Sequence, residues 1–487
     1  MNLWIRDFKD LHIPFYTKSF LSTFKIIIRM KNSPGGNPTM QNESVFSYRL
    51  KFSFSMLTLV FLFFTSCELD DIRPELDIAL PDLELSSRSW QSPDMVLTWN
   101  QAIEDMYTFP TNAQSKSQPV VARIMAMYHL AIHDALNCIT PRYERYVGVP
   151  RDKDADPDAA VAQAAYDVIA VVKYPDQSLA PMTALLQTSL ASIPEGDAKT
   201  RGIALGHAVA AAILAQRAVD VPLIQGNYGP PPPEGDEPGE FRYIPPLNYG
   251  LNGYHLMTPF VIESQDQFRP GPPYVVNTPE YTTDYNEVKT LGRATGSART
   301  AEQTEIAVFW AEITNRKWND IAQQVIASRP PHSMDAWKTA RLLALMHAAI
   351  ADANINSFDS KMYYYHWAPI SSIRLGDSDG NDDTAGDALW TALIPALPIG
   401  GYPGVHSEAG AAAGEVLIRF FNKDDYDLDL NSPFLPGVIR QFDSISDAVD
   451  ECTIAKIYTG HNTRHAVDAG EEMGYLVGDY VFENGLQ

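Results

Sequence analysis

The sequence predicts an all-α protein built of two related helical bundles packed as one body. Three observations lead there. Apolar residues recur at three- and four-residue spacing through long stretches, "VVARIMAMYHLAIHDALNCI" and "ARLLALMHAAIADANI" among them, which is the period of a helix with a buried face. The two stretches also match each other. Arg123, Ala126, His129, Ala131, Ile132, Asp134 and Ala135 recur 218 residues later as Arg341, Ala344, His347, Ala349, Ile350, Asp352 and Ala353, and seven matches in one register mark a repeated bundle. Between the halves, "GPPPPEGDEPGEF" and "RPGPPY" are too rich in Pro and Gly for helix or central strand, so an irregular segment wrapping the body is expected.

In chain order, residues 1–67 read as leader and lipoprotein signal. Arg49 and Lys51 precede the apolar run "MLTLVFLFFTSC", which ends in small residues before Cys67. The run is too short to span a membrane, so lipid on Cys67 is the expected membrane anchor. Residues 1–50 show no folding pattern and read as an upstream extension. "CELDDIRPELD" resembles the surface-export signal of some bacterial lipoproteins, which implies the cell envelope, at the outer-membrane surface. Residues 68–95 form a tether, 96–225 the first bundle, 226–280 the wrapping segment and 281–487 the second bundle. The formal charge of −23 excludes nucleic acid as a partner, because phosphate backbones need a basic face. Beyond Cys67 only Cys138 and Cys452 remain, in apolar helical surroundings that suit buried free thiols. His129 and His347 sit on apolar faces without neighbouring ligand spacing and read as structural histidines.

Three stretches of the second half carry chemistry: "KMYYYHWAPISSIR" from Lys361, "YPGVHSEAGAAAG" around His406, and "AKIYTGHNTRHAVDAGEEMG" from Ala455. Their order, with "LGRATGSARTAEQTEIAVFW" and "KWNDIAQQV" before them, resembles the vanadium-dependent haloperoxidases of the type-2 phosphatidic acid phosphatase superfamily. The resemblance covers most of residues 96–485. It implies the double-bundle fold and a small oxyanion, vanadate or phosphate, held by three motifs: Lys-x6-Arg-Pro, Pro-Ser-Gly-His and Arg-x5-His. Cations and helix-start N–H groups neutralise the oxyanion, one His bonds the central atom and another moves protons.

On this chain Lys361 and Pro369 match the first motif, with Ala368 where the family has Arg. Seven residues are two helical turns, so Lys361 and Ala368 are expected on one helix face. In the second motif Pro403 and His406 match, while Gly404 and Val405 replace Ser and Gly. Gly404 is expected to offer its backbone N–H, and Val405 adds bulk. In the third, Gly470 and Gly474 fix the register, Lys456 replaces Arg and Asn462 replaces the ligating His. An amide is neither a nitrogen ligand for vanadium nor a phosphoryl acceptor.

The resemblance thus implies catalytic roles for His406 and for His461 as stand-in ligand, with Lys361, Gly404, Lys456 and Arg464 as oxyanion contacts. Native-type haloperoxidase activity is expected to be weak or lost. Two alternatives stay open. His461, His465 and Asp468, at i, i+4 and i+7, would share a helix face suited to a divalent metal. A surface binding or scaffold protein would instead leave the pocket empty or fill it with an organic ligand. The tyrosines and Trp367 of "YYYHW" are expected to pack core, and the Asp-rich 376–387 to be a solvated loop rather than a calcium site.

Overall fold

The computed structural model describes residues 91–108, 117–223, 232–243, 250–395 and 398–487, all within the compact unit Asp82–Gln487. Cys67, the leader and most of the tether lie outside the described residues. The first bundle comprises α1 (Asp94–Thr108), α2 (Gln118–Ile139), α3 (Pro157–Val172), α4 (Ala180–Ala191) and α5 (Asp197–Gln216). The second comprises α6 (Pro279–Leu291), α7 (Ala301–Phe309), α8 (Thr314–Ala327), α9 (Ala336–Tyr364), α10 (Pro369–Arg374), α11 (Val405–Phe421), α12 (Ile445–Thr459) and α13 (Arg464–Asn484). Local chemistry sets where they start. Asp156, Asp335, Ser444 and Thr463 accept backbone N–H groups of the first turns of α3, α9, α12 and α13, and Thr300 with Gln303 forms a capping box on α7.

One departure from the all-helical expectation after residue 281 is an antiparallel hairpin, β1 (Asp425–Asn431) and β2 (Ile439–Ser444). "DYDLDLN" alternates polar with apolar, and Tyr426, Leu428 and Leu430 are buried while the aspartates face water. That is the period of a half-buried strand.

Helices α2 and α9 are buried almost throughout and form the centre. A single continuous core joins them to α1, α3, α5, α8, α11 and α13, so the two bundles share their interior. The repeated residues occupy equivalent places in each half. His129 and His347 stack on each other, ring centroids 4.5 Å apart and 9° from parallel, which puts them on a pseudo-twofold axis. Asp134 accepts the backbone N–H of Tyr146 and Val147, and Asp352 those of Phe260, Val261 and Ile262. Each aspartate thereby pins the irregular chain that covers its bundle. Arg123 reaches the end of α5 through Arg217 O and Asp220, and Arg341 reaches Leu486 O just past α13.

Glycines let the outer pairs close. A Cβ on Gly206 of α5 would meet Ala160 O at 2.8 Å, and one on Gly474 of α13 would meet Glu408 O at 2.3 Å. Cys138 and Cys452 are buried and free, and no helix among the described residues is long and apolar enough to cross a membrane.

Candidate functional site

The three motif stretches meet at one end of the second bundle, around the loop 398–404 that leads into α11. Lys361, near the C-terminal end of α9, is 1 % exposed and turns inward. Its Nζ donates to Gly400 O at 2.8 Å and to Pro403 O. Burial pulls this ammonium down to about 7, and the nearby Glu408 on α11 acts against that pull. Glu408 is fully buried, and its carboxyl is pushed well above the usual range by burial. Asn356 donates to it at 2.9 Å. An acid in the alanine-rich stretch two residues after His406 is a signal in the sequence for this partner, and the family motifs do not include it.

Ala368 does not share a helix face with Lys361. Helix α9 stops at Tyr364, Tyr365 adopts the left-handed conformation at φ 46°, and Ala368 caps the start of α10. The residue before Pro369 is pushed out of helical geometry, so the chain turns there. Ala368 packs in a small apolar cluster with Val276, Tyr281, Trp367 and Val467. A cation is therefore absent from this position, and hydrophobic packing has taken its place.

Gly404 is also placed differently from expectation. Its N–H donates to Ala466 O at 2.7 Å, so it does not face an anion. Val405 opens α11 and packs partly buried against the core. His406 follows, 8 % exposed. Its Nδ1 lies 3.0 Å from Thr314 Oγ1 and 3.2 Å from Gln118 Oε1. Burial, then the charges of Lys456 and His461, hold His406 well below the ordinary histidine range, and the ring is neutral at pH 7. Gln118 and Thr314 are first residues of α2 and α8, contacts between distant segments that no local pattern announces.

The third motif supplies the other wall. Lys456 on α12 is buried, donates to Trp310 O at 2.8 Å and is lowered by burial to about 8. Helix α12 ends at Gly460, φ 83°, and α13 begins only at Arg464, so His461 and Asn462 both lie in the intervening turn. His461 Nε2 donates to Ile394 O at 3.0 Å, and burial followed by the Lys456 charge lowers the ring to about 4. Asn462, 8 % exposed, donates from Nδ2 to Gly401 O at 2.9 Å.

The remaining expectations are corrected on geometry. Arg464 forks onto Glu287, 2.6 and 3.2 Å, at the surface, and does not contact the loop. His465 opens α13 but points to Pro272 O, Asp468 is exposed, and His461 is not helical, so the three do not converge on a metal. Among the described residues no group of three or more His, Cys, Asp or Glu is placed to hold a metal ion. The tyrosines of "YYYHW" are partly or fully exposed, whereas Trp367 is buried. The aspartates of 376–387 are used locally: Asp377 accepts Gly386 N–H and Asp379 accepts Asn381 N–H. A surface cavity of about 400 Å³, lined by Arg329, Lys423, Asp425 and Asp443, contains none of the motif residues.

The structure thus brings Lys456, His406 and His461 into mutual electrostatic reach, and sets Lys361, Glu408 and Asn462 around the loop beside them. Residues 341–486 match the family model of the second helical-bundle domain of vanadium chloroperoxidase. The vanadium chloroperoxidase of Curvularia inaequalis is 24 % identical, over 78 % of this chain and 80 % of that protein. Among solved structures, a bacterial vanadium-dependent iodoperoxidase superposes with a TM-score of 0.66 at 22 % identity, covering 81 % of this chain and 96 % of that one. A bacterial vanadium-dependent chloroperoxidase gives 0.60 at 15 % identity, covering 78 % and 96 %. The chain is a vanadium-chloroperoxidase-like protein with the helical-bundle fold of the vanadium haloperoxidases.

Proposed function

We propose that this haloperoxidase-like chain is a lipid-anchored envelope protein whose oxyanion pocket has been converted into an internally bonded joint, and that it does not turn over halide or phosphate ester. One observation carries the reading. The groups that would face an oxyanion are bonded to the chain's own loop: Asn462 to Gly401 O, and Lys361 to Gly400 O and Pro403 O. Vanadate does not fit this donor set. The amide at Asn462 offers no ligating imidazole, Ala368 offers no charge, and the N–H of Gly404 is spent on Ala466 O. His406 keeps a basic nitrogen beside Lys456, but an acid–base group without a bound reactant has nothing to protonate.

The test uses purified residues 68–487. Orthovanadate binding is measured by calorimetry and bromide oxidation by peroxide is followed by bromination of a diketone, with Asn462→His as comparator. The parent is expected to bind vanadate more weakly than about 1 mM and to oxidise no bromide. Turnover by the parent would sink the reading. Activity confined to Asn462→His would support loss of an ancestral site. Anchoring is tested separately: Cys67→Ser is expected to move the full chain from the membrane fraction to the soluble one.

A further inference from the structure

One stretch of the sequence remains without a role, the Pro-rich strap "RPGPPYV" at 269–275. It crosses the outside of the site and touches all three motif segments in succession. Tyr364, three residues past Lys361, donates its hydroxyl to Pro270 O. Tyr402, next to Pro403, donates to Gly271 O at 2.6 Å. His465, three residues past Asn462, donates from Nε2 to Pro272 O at 3.2 Å. Three consecutive strap carbonyls are thus read by one residue from each motif.

The rings add a second tie. Tyr274 stacks on His465 at 3.9 Å and 9°, His465 stacks on Tyr402 at 5.1 Å, and Tyr402 meets Tyr364 edge-on at 5.5 Å. At the N-terminal end Arg269 pairs with Asp359 at 2.5 Å and lies over the Tyr363 ring. Just before it, Phe268 N–H donates to Asn356 Oδ1, and the same Asn356 amide donates to Glu408. At the other end Val276 is buried beside Trp367 and Ala368. A proline-rich segment suits this job, since an extended, preformed backbone loses little entropy when it docks on an aromatic face.

We propose that residues 269–275 are a latch that holds the three motif segments together and keeps the loop 398–404 closed over Lys361. What the latch regulates rests on the closed-pocket reading above; the latch itself does not. Opening it removes the outer restraint on Tyr402 and His465, which flank the Gly404 N–H to Ala466 O bond and the Lys361 bonds to the loop. An oxyanion reaches Lys361 only when this layer is displaced.

The experiment is hydrogen exchange by mass spectrometry on residues 68–487, comparing the parent with Tyr364→Phe/Tyr402→Phe/His465→Phe. This variant keeps every ring and removes the three donors. The expected result is exchange about tenfold faster or more in the strap and, together with it, in 400–406 and 461–466, while α2 is unchanged. Faster exchange confined to the strap overturns the latch, as does no change anywhere. Should the triple variant lose protection in α2, a strap loosened by Pro270→Gly/Pro272→Gly/Pro273→Gly gives the same reading without touching the motifs. Orthovanadate titration of the opened variant then separates the two ideas. Binding gained on opening supports regulation of an oxyanion site. Exchange that rises with no binding leaves the latch standing and overturns its role as a gate for oxyanions.

Discussion

The two outer helix pairs, α3 with α5 and α11 with α13, share one joint and differ in what is mounted on it. In the first bundle Asp156 N–H donates to Ala198 O, and in the second Gly404 N–H donates to Ala466 O. A Cβ on Gly206 would strike Ala160 O, the Gln163 Cβ and Ala164 N; one on Gly474 would strike the corresponding Glu408 O, Ala411 Cβ and Ala412 N. The atoms agree position by position, 248 residues apart on one helix and 268 on the other. The comparison shows that the bond made by Gly404 belongs to the scaffold, because the half without site motifs makes it as well. It also isolates the specialised residues. Where the second bundle carries His406, the first carries Asp158, which accepts only a hydrogen bond from Gln91 near the edge. Where the second buries Glu408, the first has Ala160.

The strongest test of this equivalence is steric. Gly474→Val should destabilise by about 3 kcal/mol or more, since nothing can retreat from a backbone carbonyl 2.3 Å from the new Cβ. Gly206→Val should cost less, about 2 kcal/mol, because its nearest neighbours, the Gln163 Cβ at 2.7 Å and Ala160 O at 2.8 Å, stand farther off than Glu408 O does from Gly474. Equal urea midpoints for the two would break the ranking. Next come the paired aspartates. Asp352→Ala orphans three backbone N–H groups and should cost about 3 kcal/mol. Asp134→Ala orphans two, with His133 beside them, and should cost about 2 kcal/mol, read from the same denaturation curves.

Acid is the third probe. Burial lowers His347 to about 3, and burial together with His347 lowers His129. Between pH 6.5 and 3 the unfolded chain binds a proton that the folded His347 refuses, so its contribution is complete above 6.5 and is lost as pH falls, and His129 acts in the same direction. The slope approaches about 1.4 kcal/mol per pH unit for each ring. Glu104, raised by burial to about 7, and Asp352, raised by burial to about 6, oppose it. The difference between parent and His347→Phe isolates the ring, and identical pH profiles would refute its assignment. The smallest effect is expected at Asp158→Asn, below about 0.5 kcal/mol, against roughly 1 kcal/mol for Asn462→Ala, which loses the bond to Gly401.

What could be read in advance followed chemistry that is local in sequence. The repeat around His129 and His347, the helical periods and the Pro-rich break need only neighbouring residues. The hairpin was legible in "DYDLDLN", but its alternation is short and stands between helical patterns. Lys361, His406 and Lys456 were found through the resemblance to the haloperoxidase motifs, and all three are buried at one end of the second bundle. Their partners were not legible, because Gln118, Thr314, Trp310 and Gly400 come from four separate segments. The surface pairing of Arg464 and the inward turn of Asn462 depend on where α13 begins. That is fixed by the cap at Thr463 and the left-handed Gly460, not by the motif itself.

The stacked pair His129 and His347 has a consequence for ancestry. When a residue meets its own counterpart face to face, the contact is of the kind that identical subunits make across a dyad. Helix α2 against α9 has the form of an isologous interface, now carried on one polypeptide. A half-length precursor would have exposed that apolar stripe and found cover in a second copy of itself. On one polypeptide the two halves are free to differ, so the site motifs stand on one side of the axis while the other side serves as their counterpart.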